Sequence, residues 1–470
     1  MFYGREKELK ELNDRYNSDH FECVIIYGRR RVGKTALINE FCKDKPTVFF
    51  SALRSTSADN LAALSKAVFE TNNPDAISAP VYRGFDDVFA EITRMSERER
   101  LVFVIDEYPY LAKAEKSVSS RLQHLIDRVW QNGRLFLILC GSSMSFMERQ
   151  VLGRESPLYG RRTGQIKMQA MTYDEIAVFT PTLSCEQQAL IYGITGGIPH
   201  YINKLDVKDN VDNALKRNFF NRSAYLFEEP ENLLKQELRE PTTYNSIITA
   251  IAGGASKMSE ISTKCQIASD VCAKYLKVLI SLGIVRKETP VTEKPGKKTI
   301  YRLNDNFFTF WYRFVPPYLS AIEADRVEHI YDAAIKSELA DYMGLVFEQM
   351  CRTYLIKHDD RLPFLLSYVG RWWGNDKNEQ KEVEIDLVGV PVKGKEYLIC
   401  SCKYRNTAVG IDELERMKDY AKVFGKGSKY YYYVFSKGGF TKGLKDAAER
   451  GEVTLVTLEE MYRANARQPK

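Results

Sequence analysis

An α/β fold, with a parallel sheet covered by helices on both faces, is predicted for residues 2–205 by three observations. Short apolar runs alternate with helix-forming stretches, the pattern of parallel strands joined by helical crossovers. One early run, Val24 to Tyr27, leads into Gly28-Arg29-Arg30-Arg31-Val32-Gly33-Lys34-Thr35 and then into helix formers. A later run, Leu101 to Ile105, ends in Asp106-Glu107. Open α/β sheets hold their ligands at the carboxyl ends of strands, where both motifs fall.

Taken in order, the expected strands are Cys23–Tyr27, Thr47–Ser51, Leu101–Ile105, Leu135–Cys140 and Gln165–Met168. Helices are expected over Arg5–Tyr16, Lys34–Cys42, Ala58–Phe69, Phe85–Glu97 and Ser119–Asn132. Residues Ser184–Lys208 read as a further helical segment interrupted by Gly196-Gly197-Ile198-Pro199, and Asp209–Arg239 as a polar, helix-prone connector. The length prior of roughly 150 residues per domain suggests about three domains for 470 residues. We place boundaries at 1–180 for a P-loop core, 181–240 for a helical lid and connector, 241–315 for a small helical module, and 316–470 for a final α/β region.

Composition excludes several classes. Apolar content of 44% with 28% charged residues is that of an ordinary globular chain. A net charge of +6 is compatible with nucleic acid without being diagnostic of it. Nine scattered cysteines, odd in number and without paired C-x-x-C units, argue against a disulfide framework or a zinc site. The chain starts without an apolar signal region and holds no run of about 18 apolar residues. No membrane partner is therefore expected, and the cytoplasm is the expected location.

Gly28–Thr35 matches G-x-x-x-x-G-K-[ST] in the strand–loop–helix context that gives this motif its meaning. Glycines let the backbone curl so that N–H groups converge on a phosphate at the positive end of the next helix. Gly28, Arg31, Val32, Gly33, Lys34, Thr35 and Ala36 form the expected cradle, with Lys34 reaching the phosphates and the Thr35 hydroxyl ligating Mg²⁺. Asp106 is the second expected Mg²⁺ holder, and Glu107 the expected general base toward water. ATP and Mg²⁺ are thus the expected ligands. At the end of the next strand, Ser142 or Ser143 is a candidate γ-phosphate sensor or, equally, an N-cap. Arg161 and Arg162 are candidates for neutralising charge on the γ-phosphate, or a solvated basic turn.

The succession Phe2-Tyr3-Gly4-Arg5-Glu6, GRRRVGKT, IDEYPYL, CGSS, PLYGRR, MTYDE and GGIPHY resembles the archaeal-type ATPase family, within the AAA+/STAND group of P-loop NTPases. This resemblance covers residues 1–210. It implies an ATP-driven conformational switch, with Phe2 to Arg5 near the base or ribose and Pro199 in a nucleotide-sensing turn.

Further on, helices expected at Tyr244–Ile251, Met258–Cys265 and Ser269–Leu282 precede strands at Ile284–Pro290 and Lys298–Leu303. Three helices and a hairpin are the order of a winged helix. Its third helix would present Ser269, Asp270, Lys274 and Lys277, and its wing Lys294, Lys297 and Lys298. Lysines there suit DNA phosphates; a packing or regulatory role is the alternative.

A helix over Asp325–His358 leads into the last region, where Asp386 and Lys403 fall on successive expected strands and Glu348 on that helix. The arrangement resembles a PD-(D/E)xK nuclease core, and the domain of unassigned function that follows archaeal-type ATPases. The resemblance implies Mg²⁺ held by Glu348 and Asp386, with Lys403 orienting hydroxide. Ser401 stands where that pattern has an acid, and a hydroxyl is a poor replacement for a carboxylate on Mg²⁺. Glu384, on the same strand face as Asp386, is a candidate compensating ligand. Two outputs stay open: a switch acting on DNA through the later domains, or a STAND-type scaffold whose nucleotide state controls homo-oligomers or assembly with a protein partner, with a degenerate nuclease domain.

Overall fold

The computed structural model describes residues 2–73, 75, 78–205, 207, 210–294, 296, 298–376 and 379–463. Lys297 of the expected wing, its neighbour Pro295, and Lys208 and Asp209 at the lid–connector boundary lie outside the described residues. The chain forms two compact units: Met1–Ala170 with Ile198–His200, and Met171–Gly197 with Tyr201–Lys470.

The first unit is built on a five-stranded parallel sheet of β1 (Glu22–Tyr27), β2 (Thr47–Ser51), β3 (Val102–Asp106), β4 (Phe136–Gly141) and β5 (Gly164–Lys167), in the order β2-β3-β4-β1-β5. Each strand lies within one residue of its expected ends. β1, β3 and β4 are buried at every position, because central parallel strands are covered on both faces and so read as unbroken apolar runs. Edge strand β2 instead varies in exposure along its length. Phe89, Phe103 and Trp130 anchor the core on the side of the Phe85–Arg98 helix. A helix at Tyr108–Ala114, directly after Glu107, was not expected. Expected helix Ser119–Asn132 ends early, at Arg128, and a 3-10 turn at Trp130–Asn132 follows.

In the second unit, helix Cys185–Thr195 starts at a Ser184–Gln187 capping box and stops at Gly196, whose left-handed φ of 62° ends the helix. It packs against helices Asn306–Phe314 and Lys336–Lys357. The buried Tyr342 hydroxyl donates to the carbonyls of Gly193 and Asn306 at 2.5 and 3.0 Å. The second unit begins at Met171, and the first takes back Ile198–His200. Helices Pro241–Ala252, Met258–Lys264 and Ser269–Ser281 precede an antiparallel hairpin of β6 (Val285–Glu288) and β7 (Ile300–Leu303), in the expected order. Past the hairpin, the expected Asp325–His358 helix is broken into Val327–Ile330, a π turn at Tyr331–Ile335, and Lys336–Lys357.

A second five-stranded sheet follows, made of β8 (Leu366–Asp376), β9 (Lys381–Pro391), β10 (Glu396–Lys403), β11 (Lys429–Ser436) and β12 (Thr454–Thr457). The order is β12-β11-β10-β9-β8, antiparallel through β8, β9 and β10 and parallel from β10 to β12. Helix Ile411–Phe424 makes the β10–β11 crossover and buries Leu414, Met417, Ala421 and Phe424, a helical spacing on one face. Trp372 joins this core edge-on to Phe424, whereas Trp373 is half-buried. All nine cysteines are free thiols. Among the described residues no helix is long and apolar enough to cross a membrane.

Candidate nucleotide-binding site

β1 delivers the chain into a tight loop. Arg31 and Gly33 take left-handed φ angles of 72° and 94°, and a non-glycine residue in that region marks a backbone held by its surroundings. Gly28 is required by close approach, since a Cβ there would lie 2.5 Å from the Met168 carbonyl oxygen. Val32 is fully buried. Lys34, 6% exposed, donates from its amine to the carbonyls of Gly28 and Arg29, each at 2.9 Å. Burial lowers the pKa of Lys34, against the opposing pull of Cys140, Glu107 and Asp106. The amine thus rests on the loop's own carbonyls.

The acids at the end of β3 meet this loop across β4, which lies between β3 and β1 in the sheet. Thr35 Oγ1 donates to Asp106 Oδ2 at 2.9 Å, and Asp106 Oδ1 accepts the Glu107 N–H at 2.9 Å. Glu107, at a φ of 52°, turns the chain into the Tyr108–Ala114 helix. Ser142, at the end of β4 and 2% exposed, donates to Glu107, its Oγ lying 2.9 Å from both carboxylate oxygens. Of the two candidate serines, Ser142 is the one on Glu107. The Thr35 hydroxyl and Asp106 carboxylate are hard oxygen donors beside Lys34, a set that fits Mg²⁺. Bound there, the ion would neutralise phosphate charge.

Other expected residues take different places. Arg5 sits in the loop's bracing: it donates to Val32 O at 3.2 Å and Gln169 O at 2.6 Å and pairs with Glu8. Phe2 is half-buried, Ala36 is exposed, and Pro199 opens the Pro199–Lys204 helix. Arg30, inside the Gly28–Thr35 loop, donates to the Tyr110 hydroxyl at 2.7 Å. Arg161 is engaged within the first unit. Its guanidinium grips both Asp127 oxygens at 2.7 Å and donates to the carbonyls of Pro157 and Tyr159, which leaves it serving the 157–163 turn. Arg162 keeps a buried Nη1 without a hydrogen-bond partner.

In the second unit, Asp386 on β9 accepts the Cys402 N–H at 2.8 Å and the Lys403 amine at 3.3 Å. Ser401 Oγ donates to Glu413 Oε1 at 2.5 Å, and Lys403 lies 3.6 Å from that same oxygen. Glu413, 4% exposed on the Ile411–Phe424 helix, is also paired with Arg416. Sequence reasoning missed it, because it comes from a different element and the IDELER stretch reads as an ordinary helix start. Glu348 ion-pairs with Arg371 at 3.7 Å, and burial pushes its pKa up to about 7. Glu384 does not compensate for Ser401: it ion-pairs with Arg371 and is half exposed. Among the described residues, no three His, Cys, Asp or Glu side chains are arranged to hold a metal ion, so Glu348 and Asp386 lack the third ligand that the resemblance implies.

Comparison with known proteins bears on the first unit as a domain. Residues 2–205 match a family described as an ATPase domain predominantly from Archaea, and residues 311–417 one described as archaea bacterial proteins of unknown function. The uncharacterized protein MJECL04 of Methanocaldococcus jannaschii is 32% identical over 98% of this chain and 100% of its own length. A short stretch, 10% of this chain, is 47% identical to 76% of the uncharacterized ATP-binding protein MJ0423 of the same organism. The Walker-type ATPase PABY2304 of Pyrococcus abyssi has a similar fold, with a TM-score of 0.51 at 19% identity over 67% of this chain and 96% of that one. The chain belongs to the same family as MJECL04, and its residues 2–205 form an archaeal-type ATPase domain.

Proposed function

We propose that this protein is an ATP-hydrolysing switch whose nucleotide state is passed to a DNA-contacting output in the second unit. The hydrogen-bonded run Thr35–Asp106–Glu107–Ser142 is the observation that supports hydrolysis most strongly. Lys34 and the loop N–H groups bind and orient the triphosphate, Thr35 and Asp106 hold the metal, and Glu107, positioned by Ser142, accepts a proton from water. For the output, Lys274 and Lys277 lie exposed on the third helix of the helix–helix–helix–hairpin module, where they would neutralise phosphates. Of the wing lysines, Lys298 is paired with Glu293 at 2.8 Å and is the weaker candidate.

The nuclease-like cluster is read here as a non-cleaving part of that output. Each acid already has its own cation or donor: Asp386 has Lys403, Glu413 has Arg416 and Ser401, and Glu348 has Arg371. The test is ATP turnover with and without duplex DNA at low salt. Stimulation that weakens in Lys274→Glu/Lys277→Glu is expected, with no Mg²⁺-dependent strand cleavage. An unchanged rate at every salt concentration, together with ATP-dependent growth in particle mass, would instead favour the scaffold reading. Cleavage lost in Asp386→Ala would overturn the non-cleaving assignment.

A further inference from the structure

A cavity of about 350 Å³ in the second unit is lined by the β6–β7 hairpin, by helices Asn306–Phe314 and Lys336–Lys357, and by β8. Four arginines line it, Arg286, Arg302, Arg313 and Arg371, against one carboxylate, Glu348. Glu288 alone serves both Arg286, at 2.6 Å, and Arg302, at 3.6 Å, while Arg313 pairs with Glu338 and Arg371 with Glu348 and Glu384. Arg371 is nine-tenths buried, and its Nε and Nη1 have no hydrogen-bond partner. A buried guanidinium is costly unless its donors are matched. Burial, and next the neighbouring charge of Arg371, lower the pKa of Arg302, a sign of positive charge crowded around this space.

A phosphate group would match the unpaired donors of Arg371 and the crowded positive charge. Its oxygens are acceptors, its charge offsets the arginines, and the guanidinium fork matches its geometry. The volume sits at the lower end of small-molecule pockets rather than in the range of an open polymer groove. Tyr301, Ser256 and Thr309 add hydroxyl groups to the wall. We infer that this cavity binds a small phosphate monoester, of mononucleotide size or below, through Arg286, Arg302 and Arg371. The site is separate from the P-loop and does not depend on the ATPase reading. Because Val291, just after β6, donates its N–H to the Arg371 carbonyl at 2.9 Å, a ligand held by arginines of both elements would tie the hairpin region to β8.

Titration calorimetry on the full chain, saturated with Mg-ADP so that the P-loop is filled, tests this with ribose 5-phosphate as probe and ribose as control. One site per chain is expected for ribose 5-phosphate and none for ribose. Binding should weaken by about tenfold or more in Arg302→Gln and in Arg371→Gln, the loss that follows from removing a charge-assisted hydrogen bond. Arg302 is the more exposed of the two, so Arg302→Gln decides the matter if Arg371→Gln fails to fold. The inference is overturned if ribose 5-phosphate gives no heat, or binds undiminished in Arg302→Gln. Binding confined to a 5′-phosphorylated oligonucleotide would also overturn it.

Discussion

At the residue scale, Glu107 and Ser142 make the sharpest pair. In the proposed mechanism Glu107 acts on water and must be aimed, and Ser142 Oγ lies 2.9 Å from both of its carboxylate oxygens. Ser142→Ala should therefore lower kcat by about tenfold while leaving the KM for ATP within about twofold, since general-base catalysis contributes about 10²–10⁴ and positioning is a part of that. Steady-state kinetics separates the two parameters; a raised KM with unchanged kcat would place Ser142 in binding instead. Arg161 is predicted to act on stability. Losing its two-pronged, partly exposed pair with Asp127 should cost about 1 kcal/mol, seen as a lower melting temperature of the first unit with little change in ATP turnover. The sequence left the adjacent arginines open between a γ-phosphate role and a basic turn because nothing local announces Asp127, which lies on the Val118–Arg128 helix. Glu348 supplies a pH signature. Its carboxyl ordinarily ionises near 4.5 and here near 7. As pH rises through that window the unfolded chain releases the proton first, so the folded unit loses up to about 3 kcal/mol of stability, and none below the lower value. Glu348→Gln should flatten the fall in urea midpoint between about pH 5 and about pH 8; an unaltered slope would mean that other groups carry it.

At the element scale, the strands and the loop were legible because their signals are local. Buried parallel strands are apolar runs, and the phosphate loop is a fixed spacing of glycine, lysine and threonine. Helix Asn306–Phe314 was not legible: NFFTFWYRF buries Asn306, Phe307, Phe308, Phe310, Trp311, Tyr312 and Phe314, and Thr309 with Arg313 is too narrow a polar face from which to read a helical period. The π turn at Tyr331–Ile335 was equally invisible, since one extra residue per turn leaves no mark on composition. Gly197 is the element-scale position most exposed to substitution. Its φ is 69°, and a Cβ there would meet the Met171 carbonyl oxygen at 1.9 Å. Gly197→Ala must shift backbone at a left-handed position and should cost about 2 kcal/mol or more. A melting temperature equal to that of the wild type would show that the turn relaxes freely.

At the scale of the whole molecule, the nucleotide site belongs to one compact unit and the proposed output to the other. The sequence made the first of these plain, because a P-loop site is assembled at the ends of neighbouring strands, each with its own short motif. The second was only partly legible. Glu413 and Ser401 meet across a helix and a strand, and the arginine-lined cavity gathers side chains from the β6–β7 hairpin, two helices and β8; no linear spacing encodes either. The central claim is that Lys34, Thr35, Asp106 and Glu107 form a working Mg-ATP hydrolysis site. The most direct measurement is single-turnover ATP hydrolysis with Mg²⁺ by the wild type and by Glu107→Gln, with ATP binding measured on the same samples. The account predicts that hydrolysis falls by about 10² or more while ATP is still bound. Equal rates in the two proteins, or a wild type that binds ATP and never turns it over, would contradict it.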